Sequence, residues 1–168
     1  TALVGILDAF MESKNVITPE AWTASCNDVV LLPEFPKFVW TTGETFQAEM
    51  KVANYSAGAI NASLEWRISR HDGTLLDEGS FANLHIAQGG LTTAGVITVD
   101  LSPVSGAEQL RFECSLEGTR INNRYDLWVY PPAGDPIDAG EVLVTGQLGK
   151  QALDQLLRGG KVLLFPRI

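Results

Sequence analysis

Cysteine and histidine are scarce, with two of each in 168 residues. Two cysteines cannot staple a small scaffold. His71 and His85 have no Cys or His partner at metal-ligand spacing. Basic residues are also in short supply, 12 Lys and Arg against 20 Asp and Glu, which leaves a net charge of −8. That sign repels phosphate backbones and anionic lipid, so nucleic acid and membrane surfaces are set aside as partners. No apolar run approaches the roughly 20 residues a membrane span needs. The chain does not open on the basic-then-apolar pattern of a secretory leader. What it does have is a hydrophobic content of 45%. That supports a packed core and argues against disorder. These bounds describe an acidic globular protein and name no activity.

The two ends carry helical patterning. Leu3, Ile6, Leu7 and Phe10 follow i, i+3, i+4, i+7 spacing, which predicts a short amphipathic helix in need of a packing partner. In Thr18-Pro19-Glu20, Thr suits an N-cap, Pro the first helical position and Glu the positive end of the dipole. A second helix is therefore expected to end near Cys26-Asn27. At the far end, Glu141–Thr145 reads as a strand, Gln147–Arg158 as a helix and Lys161–Phe165 as a strand, with a C-cap signal at Gly159-Gly160. Parallel strands need cover on both faces, and a segment this short cannot supply it. Both termini are therefore expected to continue into a longer polypeptide.

The middle alternates with period two. Phe46, Ala48, Met50 and Val52 share one face, as do Leu64, Trp66 and Ile68; Ile97, Val99 and Leu101; and Leu110, Phe112, Cys114 and Leu116. Tyr125, Leu127 and Val129 share a face, with Asp126, Trp128 and Tyr130 on the other. His71-Asp72-Gly73 predicts a tight turn into a partner strand at Leu75–Phe81. With Val29–Leu32 and Phe38–Trp40 added, seven or eight short strands lie between residues 28 and 131. The fold class expected is mainly β. It is an immunoglobulin-like antiparallel β-sandwich with an N-terminal helical segment and a C-terminal βαβ fragment. Trp66 falls on the third long strand, where such sandwiches bury a tryptophan.

No constellation of reactive groups emerges. Glycoside cleavage uses two carboxyl groups in a cleft, but Glu49, Glu65 and Glu113 occupy the solvent-facing positions of alternating strands. Cys114 reads as a core thiol, and a Cys26–Cys114 bridge stays open as an alternative. Gly146-Gln147-Leu148-Gly149-Lys150 lies between a strand and a helix but lacks the spacing and the Ser/Thr of a phosphate loop. No G-x-S-x-G elbow is present. Asn54-Tyr55-Ser56 and Asn61-Ala62-Ser63 are formal glycosylation sequons, meaningful only in a eukaryotic secretory pathway. The expected catalytic, cofactor-binding and metal-binding residues are therefore none, and no cofactor is expected. Trp40, Trp128 and Tyr130 fall on faces that pattern as exposed, where flat rings stack on sugars or anchor a neighbouring domain.

A set of segments carries a family resemblance through order and spacing: GILDAFMESK (5–14), ITPE (17–20), CNDVVLL (26–32), FVWTTGETF (38–46), VANY (52–55) and DLWVYP (126–131). Together they resemble the region after the catalytic barrel in bacterial glycoside hydrolase family 2 enzymes, the β-galactosidase-like group. The likeness covers residues 1–131 and, more loosely, the segment from 141 onward. It implies a helical connector over 1–27, a sandwich over 28–131, a linker over 132–140 and the truncated start of an α/β module over 141–168. The glutamates of that family's active site lie on its barrel and have no counterpart here. The resemblance thus implies a non-catalytic accessory domain, not itself an enzyme, in a periplasmic or extracellular glycoside hydrolase. Its partners would be neighbouring domains of the same polypeptide, with carbohydrate as a further ligand. Two other functions fit the same fold: a carbohydrate-binding module using exposed aromatics, and a cell-surface interaction domain.

Overall fold

The computed structural model describes residues 5–134 and 140–166. The chain divides into two compact units, Thr1–Pro132 and Ala133–Ile168. No helix among the described residues is long and apolar enough to cross a membrane.

The first unit is a β-sandwich. Its elements are α1 (Pro19–Thr23), β1 (Val29–Glu34), β2 (Val39–Thr41), β3 (Thr45–Asn54), β4 (Ile60–Arg70), β5 (Leu75–Ile86), β6 (Gly90–Asp100), β7 (Glu108–Leu116) and β8 (Asn122–Tyr130). One sheet runs β1-β3-β6 and the other β2-β8-β7-β4-β5. The period-two alternation explains the core directly. Phe46, Ala48, Met50 and Val52 of β3 are buried opposite Leu64 and Ile68 of β4, Leu110 and Phe112 of β7, and Leu127 and Val129 of β8. Phe112, Phe46 and Phe35 pack edge-on or tilted, 5.5 to 6.5 Å between centroids. Such offset geometry suits the aromatic quadrupole.

All pairings in the sandwich are antiparallel except one. Having left the first sheet at β1, the chain crosses over, and β2 pairs parallel to β8, with Val39 beside Trp128 and Thr41 beside Tyr130. This short edge strand is tied down by its own loop. Glu44 takes a salt bridge from Lys37 at 2.6 Å and accepts the Thr41 amide at 2.7 Å. The Lys37 hydrogen bond, then the Thr41 amide, hold the Glu44 carboxyl below its usual value.

Local signals account for the turns. The β4–β5 hairpin closes through Arg70, whose carbonyl accepts the Gly73 amide at 3.0 Å, and Gly73 adopts a φ of +88° that a side chain would resist. The Asp72 carboxylate accepts the Thr74 amide at 2.8 Å, and the amide and hydroxyl of Thr74 hold its pKa low.

Three expectations need correction. The opening apolar spacing does not make a helix over its described part. Asp8 Oδ1 accepts the amides of Phe10 and Glu12, the Lys14 amide reaches the Ile6 carbonyl, and Leu7 bridges Ser13. A carboxylate that satisfies nearby amides offers the backbone an alternative to the helical ladder. Phe10 is left 85% exposed, and Leu3 lies outside the described residues. Trp40 is buried, not exposed, because the β2 pairing places it beside Val129 on the inner face, edge-on to Phe46 at 5.4 Å. Trp66 is half-buried: its indole lies against the backbone of Gly79, where an added Cβ would come within 2.8 Å of the ring.

The second unit contains β9 (Val142–Thr145), α2 (Lys150–Leu157) and β10 (Lys161–Leu164), the two strands parallel. This is the expected βαβ order. The Gly146–Lys150 segment is a strand-to-helix turn with Gly149 at the N-cap. After α2 the Gly159 amide bonds the Leu156 carbonyl, the Gly160 amide bonds the Gln155 carbonyl, and Gly159 has φ +77°. That is a Schellman stop, which explains glycine at 159; at Gly160 an added Cβ would come within 2.5 Å of the Gln155 side chain.

Candidate functional site

Two features stand on the outer face of the five-stranded sheet. The first is an aromatic strip on β8. Leu127 and Val129 point inward, so Trp128 and Tyr130 point outward, 37% and 47% exposed. Val39, exposed on the adjacent edge strand, is the register partner of Trp128, and Thr41 that of Tyr130. Further along β8, Asp126 faces Arg111 of β7, with Arg111 Nε and Asp126 Oδ1 3.9 Å apart.

The second is an open trough of about 1070 Å³ that crosses the strands. Its floor is the backbone along one line of register partners, Gly79 of β5, Trp66 of β4, Cys114 of β7 and Asn123 of β8, with the Trp66 and Cys114 side chains turned to the core. One bank is the row Glu78–Arg67–Glu113–Arg124, in which the charge alternates from strand to strand. The other bank is the row Ser80–Glu65–Ser115–Asn122. Thr18, Glu20 and Ala21 of the first helical segment, with Ala24, add a further wall.

Each part of this site is fixed by something nameable. Arg67 Nε and Nη2 meet Glu113 Oε2 at 2.8 and 2.7 Å, a pairing that orients both side chains across neighbouring strands. Asn123 is buried, and its Nδ2 reaches the Ala24 carbonyl at 3.3 Å, the Leu31 carbonyl at 3.1 Å and the Tyr125 hydroxyl at 2.8 Å. That side chain ties α1 to the sheet. Thr18 Oγ1 accepts the Ala21 amide, and Pro19 sits at the first helical position, as the sequence signals. Glu65, Glu78 and Arg124 make no ion pair among the described residues.

The candidate residues of the sequence reading distribute plainly. Glu65 is exposed, while Glu49 and Glu113 are half-exposed and paired with Lys51 and Arg67. His85 Nδ1 lies 2.9 Å from Asn61 Oδ1, and His71 lies in the β4–β5 turn. No group of three or more potential metal ligands occurs among the described residues. Cys26 and Cys114 are both free; Cys26 is exposed, Cys114 is buried and its thiol is pushed up to about 12 by burial. Of the two sequons, Asn54 is fully buried, with Nδ2 donating to the Gly58 and Ile86 carbonyls and Oδ1 accepting from Ser56; Asn61 is exposed. The trough itself escaped sequence reading, because each bank is assembled from four strands and only the register brings the rows together.

A family model described as "Domain of unknown function (DUF8488)" matches residues 44–131, from β3 to the end of β8. The chain belongs to this family. The matched span contains the whole floor of the trough and both aromatic residues of the β8 strip. No curated protein matches the chain. Solved structures similar to it include the alkylpurine DNA glycosylase AlkC of Pseudomonas fluorescens, bound to DNA with an abasic-site analogue. It is 9% identical over 61% of this chain and 30% of that one, with a TM-score of 0.47. Another is the CARDB domain of the PF1109 protein of Pyrococcus furiosus, in complex with di-metal ions. It is 12% identical over 62% of this chain and 94% of that one, with a TM-score of 0.45. A third is a putative β-galactosidase from Bacteroides fragilis, 13% identical over 60% of this chain and 16% of that one, with a TM-score of 0.42. The likeness thus spans less than a third of both the first and the third of these proteins. At such identities and TM-scores it says nothing of activity, substrate or partner.

Proposed function

We propose that this chain is a non-catalytic β-sandwich module of a multidomain, exported bacterial glycoside hydrolase of the β-galactosidase-like group. On this reading it supports and orients neighbouring domains and contributes no reacting group of its own. The observation that carries the proposal is the outward strip of Trp128, Tyr130 and Val39 on adjoining strands of one sheet. Aromatic and aliphatic side chains set flat on a sheet face form a surface for packing against another domain. The ordered segments over residues 1–131 that resemble the post-barrel region of such enzymes support the same assignment.

Two measurements test it together. The purified chain is assayed with a panel of aryl β-glycosides, and a catalytic barrel of this enzyme group encoded in the same polypeptide is supplied in trans. The expected result is no turnover, together with association that is lost in Trp128→Ala/Tyr130→Ser. Hydrolysis that disappears in Glu65→Gln or Glu113→Gln would overturn the reading, and so would association indifferent to the double substitution.

A further inference from the structure

We propose that the transverse trough over β5, β4, β7 and β8 is a binding groove for a neutral oligosaccharide chain. The choice of a glycan among neutral polar ligands rests on the accessory-module reading; the groove itself rests on geometry. Its volume of about 1070 Å³ lies just above the range of about 300–1,000 Å³ usual for ligand sites. It is open, so it suits a chain laid along it better than an enclosed small molecule.

The banks select the chemistry. Along them, groups recur at the strand spacing of about 4.8 Å, and they offer both hydrogen-bond polarities. Arg124 and Asn122 donate, Glu65 and Glu78 accept, and Ser80 and Ser115 do either. Sugar hydroxyls likewise both donate and accept, so one ligand type can answer both rows. Glu20, Glu65, Glu78 and Glu113 outnumber Arg67 and Arg124 around the trough. That balance disfavours a phosphate-bearing or otherwise anionic chain.

An extended peptide fits less well. Peptides that bind sheets gain most of their affinity from unpaired main-chain groups along an edge. Here the floor residues belong to strands paired with one another, and the trough runs across them. The site is also organised before any ligand arrives. Arg67 is held by Glu113, and α1 is held through Asn123 and Ala24. A rigid site loses less on binding.

Titration of the full chain with neutral β-linked gluco-, galacto- and xylo-oligosaccharides, followed by amide spectra, tests the proposal. At least one series should give saturable shifts centred on the amides of Gly79, Trp66, Cys114 and Asn123. Arg124→Ala should weaken binding by about tenfold, the worth of one charge-assisted hydrogen bond. Ser115→Trp, which fills the trough, should abolish it; Arg124→Ala alone decides the matter if that variant does not fold. The proposal fails if none of the three series binds, or if binding is indifferent to these substitutions. It also fails if binding is lost in Trp128→Ala instead, or if only a lysine-rich peptide shifts the floor amides. None of these failures touches the accessory-module reading, which is judged by turnover and association.

Discussion

Cys114 sits with Phe112 and Leu116 on the inner face of β7, and burial raises its thiol from an ordinary 9.0 to about 12. The sign of the resulting pH dependence follows from proton counts. Between those two values the unfolded chain has released the thiol proton and the native chain has kept it, so stability falls as pH rises through that window. Tyr125, raised chiefly by burial and then by Cys114, adds a slope of the same sign. Urea midpoints measured from neutral pH upward should therefore decline less steeply in Cys114→Ala than in the parent chain. Equal slopes would show that the thiol is not desolvated. Cys114 was legible in the sequence because Gln109–Leu116 of β7 alternate without a break. Trp40 was not, because β2 is only three residues long and period two needs a longer run to assign a face. Its orientation comes from pairing with β8, which no local pattern announces.

Helical elements separate into those with a stated beginning or end and those with only periodicity. The segment from Gly5 to Lys14 has an apolar repeat alone; Asp8 accepts the amides of Phe10 and Glu12, and the segment forms a bridged loop. Thr18-Pro19-Glu20 has capping chemistry and becomes α1 although none of its residues is buried. For α1, then, the cap matters more than packing. Thr18→Ala removes the acceptor of the Ala21 amide and should cost about 1 kcal/mol locally. Hydrogen exchange should show lost protection at Ala21 and Trp22 with the β7 amides unchanged; unchanged exchange at Ala21 would mean that Asn123 alone holds the segment. Strands ran longer than their apolar cores suggested, as with β5, which extends to Ile86, and β6, which begins at Gly90. Their extra residues pair at the sheet edge or near the hairpin ends, where pairing supplies what alternation does not show.

At the scale of the whole molecule, the two-layer sandwich was readable because most of its strands bury one face and expose the other. The trough was not readable. Its banks are rows of residues drawn from different strands, each an ordinary solvent face when read along the chain. The same holds for the parallel pairing of β2 with β8, which joins the second strand of the sandwich to its last. Both strands run in one direction, with the Trp128 amide bonded to the Phe38 carbonyl at 2.9 Å and the Thr42 amide to the Tyr130 carbonyl at 2.8 Å. Tension that reaches β2 and the end of β8 slides one along the other and strains these bonds together, where an antiparallel hairpin would unzip one bond at a time. In single-molecule stretching, Thr42→Pro should lower the rupture force by removing one of those donors; an unchanged force would place the mechanical clamp elsewhere. A module built in this way behaves as a stiff link between whatever pulls on these two strands.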